Sequence, residues 1–160
     1  MGLLFHVRAL NARKLTPDMS ALHLALTRFS DEQLRELLDA RPDAAFPTPA
    51  SLASLATRLT LSGSIARALR RLTAADIALL ETLGDAGAEL DPVALDAINV
   101  PFDTREPLAR LRTHALVFGP DEALRVAPGV LSALPAGWRI LDPAPANLAQ
   151  SLDTISPRER

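Results

Sequence analysis

The chain has 160 residues, of which 48% are hydrophobic and 4% aromatic, and it carries a net charge of −2. That suffices for one domain with an aliphatic core, or for two very small domains sharing one. The absence of cysteine excludes disulfide frameworks, thiolate metal sites and cysteine nucleophiles, and no apolar run approaches the roughly 18 residues of a membrane span.

Residues 1–18 show no sustained periodicity, and Thr16-Pro17 predicts a break, so this stretch is expected to be a flexible leader. Its opening Met1–Val7 is apolar but lacks a basic region, a long apolar stretch and a small-residue cleavage site, which points to the cytoplasm. From Leu22 a helical period sets in: Leu22, Ala25, Leu26 and Phe29 share one face. Ser30-Asp31-Glu32-Gln33 has the form of a capping box opening a helix with Leu34, Leu37 and Leu38 inward, and Arg41-Pro42 is expected to end it. Thr48-Pro49 predicts an N-cap with proline at the first helical position, followed by a stripe of Leu52, Leu55, Ala56 and Leu59. Ile65, Ala68, Leu69 and Leu72 repeat the stripe. Four short helices are thus expected in a helical subdomain over 19–72, none of them stable alone.

Residues 73–134 change character. Thr73 predicts the cap of a helix bearing Ile77, Leu80 and Leu83, closed by Gly84. Asp91-Pro92 predicts a second helix with Leu95 and Ile98, and Asp103-Thr104-Arg105-Glu106 a third with Leu108 and Leu111. The period then falls towards two. Ala115–Phe118, a Gly119-Pro120-Asp121-Glu122 turn and Ala123–Val126 read as a β-hairpin, and Pro128-Gly129-Val130 starts a last short helix through Leu134. Three helices and a hairpin is the order of a winged helix. The fold class expected is therefore mainly α, a short-helix bundle packed on a winged helix with its β-hairpin wing. Residues 135–160 are expected to be a linker, anchored by Trp138, that ends in Ser156-Pro157-Arg158-Glu159. This helix-start signal predicts a further unit and a longer natural protein.

The chemistry-bearing residues have plain structural readings. No glycine-rich run precedes a Lys-Ser or Lys-Thr pair, so no P-loop is expected. His6, His23 and His114 lack ligand-spaced partners, and Ser20, Ser30, Ser62, Ser64 and Ser156 sit where caps are needed. Asp31-Glu32 and Asp121-Glu122 fall at a helix start and a turn tip. No catalytic residue, cofactor, metal or small-molecule substrate is expected.

Arginines are the candidate binding residues. Arg105, Arg112 and Thr113 face outward on the third helix, the recognition position of a winged helix, where they would meet phosphates or base edges. Their charge context opposes this, because residues 73–134 hold four arginines against ten acids. Arg67, Arg70 and Arg71 form a tighter stripe, extended by Arg58, in a region where seven arginines face five acids. That stripe is the better electrostatic candidate for nucleic acid; pairing with the acidic surface next door is the alternative.

Four segments carry a resemblance: Leu34–Asp43, Thr48–Ala56, Ser64–Leu69 and Leu111–Pro120. Through them residues 20–141 resemble the N-terminal region of bacterial helicase-associated proteins with the XPB-type helicase N-terminal domain. The resemblance implies a longer DNA-repair-type protein whose motor is a separate module. The expected function is a non-catalytic accessory module whose partner is a helicase or other DNA-repair protein, with DNA as a second partner. The alternative is a winged-helix DNA-binding transcriptional regulator.

Overall fold

The computed structural model describes residues 17–136 and 139–141. Residues 1–16 of the leader expected over 1–18, Trp138 and the Ser156 helix start lie outside them. Among the described residues the chain is mainly helical with one antiparallel hairpin. The helices are α1 (Pro17–Leu26), α2 (Asp31–Ala40), α3 (Pro42–Ala45), α4 (Leu52–Leu59), α5 (Ser62–Leu69), α6 (Ala74–Asp85) and α7 (Arg105–Thr113). Strands β1 (Val117–Phe118) and β2 (Arg125–Val126) follow, and short 3-10 turns occupy Leu95–Ala97 and Leu131–Ala133.

Local signals set several boundaries. Ser30 Oγ accepts from Gln33 N at 3.2 Å while Gln33 Oε1 accepts from Ser30 N at 2.9 Å, the reciprocal capping box of α2. Thr73 and Asp76 repeat the device at α6. At other boundaries the expectation fails. Pro17 opens α1 instead of breaking a helix, consistent with its tolerance in a first turn. Arg41-Pro42 does end α2, as expected, but Pro42 also starts the single turn of α3. Ser51, not Thr48, caps α4, its side chain accepting from Ser54 N.

The helix expected after Asp91 is a single 3-10 turn, because the backbone before it is taken up elsewhere. Val93 and Leu124 exchange both N–H···O bonds at 2.8 Å, and Leu95 N donates to Asp121 O at 2.7 Å. The segment therefore lies along the hairpin as an extended edge. The hairpin itself is shorter than expected, pairing Val117 with Val126 and Phe118 with Arg125. Gly119 opens its turn at φ 97°, and a Cβ there would collide with Ala123 O.

One apolar cluster runs through the whole described chain, from Leu22 and Leu26 through Leu55, Ile65 and Leu80 to Leu111, Val117 and Val130. Each fully buried leucine contributes roughly 1.5–3 kcal/mol. α1 lies against α4, α6 against α7 and β2, and α2 against α7. The last contact places the first helices directly on the helix that precedes the hairpin.

Candidate functional site

α7 is amphipathic in the expected sense: Leu108 and Leu111 are buried, Arg105 is exposed, and Arg112 and Thr113 are half-buried. Its cations are all engaged within the chain. Arg105 Nη2 lies 2.6 Å from Asp103 Oδ2, and Asp103 Oδ1 also accepts from Arg105 N at 3.0 Å, capping the helix start. The hydrogen bonds from Arg105 pull the Asp103 carboxyl down to about 2, and the Asp103 carboxylate in turn holds the Arg105 guanidinium above its usual value. Arg112 Nη2 donates to Gly119 O and to Asp121 Oδ1, both at 2.7 Å, tying the hairpin turn back to α7. Arg110, which sequence reasoning passed over, reaches the fully buried Asp76 at 3.0 Å and Glu106 at 3.6 Å. Hydrogen bonding to Asp76 raises the Arg110 guanidinium above the ordinary arginine value.

Arg112 and Thr113 also border a cleft of about 490 Å³ between the α1–α2 corner and the hairpin. Phe29, Val117 and Phe118 give it apolar walls, and Arg28, Glu36 and Asp121 bring charges of both signs.

The second set of candidates separates. Arg58 is half-buried and donates to Ala44 O at 3.2 Å and to Pro47 O, so it braces the α3–α4 loop. Arg67, Arg70 and Arg71 are exposed and come together at another cleft, of about 250 Å³, where the α2–α3 junction meets the end of α5. Arg67 Nη1 stands 4.0 Å from Asp43 Oδ2, and Arg71 Nη1 donates to Ala40 O at 3.0 Å, satisfying a carbonyl at the end of α2. Arg70 has no ion-pair partner among the described residues.

Behind these three stands Arg41, expected only as a helix terminator. It is 1% exposed. Nη1 donates to His114 O at 2.8 Å, and Nη2 to Leu59 O at 3.0 Å and Ser64 Oγ at 2.6 Å, so one side chain joins the ends of α2, α4 and α7 to α5. Its Nε has no hydrogen-bond partner and lies 4.0 Å from Asp43 Oδ1. Burial lowers the Arg41 guanidinium below its usual value; Asp43 counters this and Arg71 adds to it. A signal was present in the sequence: Arg41 follows Leu34, Leu37 and Leu38 at helical spacing, on the apolar side of α2.

The described residues contain no group of three or more His, Asp or Glu placed to hold a metal ion, and no helix long and apolar enough to cross a membrane. No protein-family model, curated protein or solved structure matches the chain.

Proposed function

We propose that the chain is a non-catalytic accessory module of a helicase-associated, DNA-repair-type protein of the cytoplasm, and that it docks the helicase motor. The observation that carries this reading is the closure of α7. In a winged-helix arrangement α7 would be the helix that enters the major groove. Reading base edges there requires cations free to reach out. Arg105 and Arg112 are instead bonded to Asp103, Gly119 and Asp121, and α2 packs against the same helix.

The face that remains suits a protein better than a polyanion. The cleft has an apolar wall in the half-buried Phe29, backed by the buried Val117 and Phe118, while Arg28, Glu36 and Asp121 offer both signs of charge. Protein contacts combine an apolar centre with a mixed polar rim in this way. The helicase setting is supported by the four resembling segments, and the non-catalytic assignment by the structural roles of the buried polar groups. Asp76 caps α6 and pairs with Arg110, Ser64 accepts from Arg41, and the Glu81 carboxylate accepts from Ile140 N at 3.0 Å.

Isothermal titration against a purified XPB-type helicase motor from the same genome tests this. Saturable association is expected, weakened by both Arg28→Glu and Glu36→Arg, each by roughly tenfold, about 1.4 kcal/mol. No association, or association indifferent to both substitutions, would remove the docking assignment from this cleft. The transcriptional-regulator alternative would then require α7 to exchange its internal ion pairs for DNA.

A further inference from the structure

We propose that the cleft between the α2–α3 junction and the end of α5 binds a phosphate group of a nucleic-acid backbone, with Arg67, Arg70 and Arg71 at its mouth and Arg41 behind them. Four guanidinium groups and one carboxylate, Asp43, line it. Ordinary ion pairing does not account for that balance. Asp43 is already shared between Arg41 and Arg67, each at 4.0 Å, and its Oδ2 also accepts the Ser64 hydroxyl. Arg70 has no ion-pair partner among the described residues.

Arg41 supplies an independent observation. Its Nε is the one buried side-chain polar atom among the described residues that lacks a hydrogen-bond partner, on a residue that is 1% exposed and lines this cleft. A buried donor left unmade is costly, and an oxyanion at the cleft would satisfy it while offsetting the repulsion between Arg41 and Arg71. The site needs no rearrangement of α7 and shares no lining residue with the Phe29–Phe118 cleft, so it stands apart from the docking assignment. Phosphate is the shared chemistry of two sources, the free inorganic ion and the phosphodiester of a duplex. The duplex is favoured because the three exposed arginines lie at i, i+3, i+4 spacing, a row that can meet more than one phosphate.

Two titrations distinguish the sources. The Arg41 Nε–Hε resonance is followed by NMR as inorganic phosphate is added, and binding of a fluorescent duplex is measured across a salt series. The expectation is a saturable shift at Arg41 and duplex affinity that falls steeply with salt. Replacing Arg67, Arg70 and Arg71 by glutamine should reduce that log–log slope by up to about 2.7, at roughly 0.9 per lost contact. Arg70→Gln alone disturbs no ion pair and should remove up to about 0.9, which keeps the test valid if the triple variant is destabilised. A shift at Arg41 without duplex binding would overturn nucleic acid as the source. A silent Arg41 resonance together with an unchanged slope in Arg70→Gln would overturn the site.

Discussion

Arg105 and Asp103 illustrate how a residue that looks available for recognition is occupied at home. Both are solvent-exposed, yet the guanidinium reaches the carboxylate at 2.6–3.1 Å while the same carboxylate caps the first amide of α7. A carboxyl held down to about 2 keeps its stabilising charge throughout the ordinary acid range. Its contribution is present above the unfolded value near 3.9 and is lost as pH falls through about 2. In an NMR titration Asp103 should protonate at about 2, and Arg105→Gln should raise that value towards the ordinary one without reaching it, since the backbone N–H of residue 105 still donates. An unmoved titration in the variant would assign the whole effect to the helix start instead of the ion pair.

At the scale of elements, the ends of α6 and α7 share one solution with different residues. After α6, Ala88 N donates to Leu83 O and Gly87 N to Gly84 O, both at 2.9 Å, with Gly87 at φ 86°. After α7, Leu116 N donates to Leu111 O and Ala115 N to Arg112 O, with Ala115 at φ 52°. Both are Schellman closures, in which the turning residue takes the left-handed conformation. The sequence places the end of α6 at Gly84, but Gly84 lies inside the helix, where a Cβ would touch Leu131 at 2.9 Å. Gly87→Ala meets nothing within 4 Å and still should cost about 1–2 kcal/mol, read by denaturant unfolding, because the penalty lies in the backbone. An undiminished midpoint would mean that α6 ends differently.

Signals carried by residues near one another in the chain were legible: the Ser30 and Thr73 boxes, the leucine stripes and the hairpin. Elements decided by distant partners were not. Nothing near Asp91-Pro92 announces that Val93 will pair with Leu124, and nothing near Arg41 announces His114, 73 positions away. The candidate arginines were legible as a set. Which of them are braces and which are free depends on Asp103, Asp121, Ala44 and Asp43, and so on the tertiary fold.

For the whole molecule these contacts amount to a division of labour. One apolar cluster unites the helices before residue 72 with those after it, and Arg41 spans the same junction with hydrogen bonds to Leu59 O and His114 O. In the acidic stretch 73–134 the arginines Arg110 and Arg112 hold α7 to α6 and to the hairpin turn, while the earlier helices present Arg67, Arg70 and Arg71 at the surface, of which Arg70 has no ion-pair partner among the described residues. On the proposed reading, recognition lies away from the helix that a winged-helix order would nominate.

The most direct measurement of that claim is a salt titration of duplex DNA binding by the parent and by the Arg105→Gln/Arg112→Gln variant, with thermal unfolding of both. Unchanged affinity and salt slope are expected, with a melting temperature lower by roughly 2–4 °C for about 1 kcal/mol of lost bracing from Arg112. A slope reduced by about 1.8, two phosphate contacts, with melting unaltered, would contradict that claim and return recognition to α7.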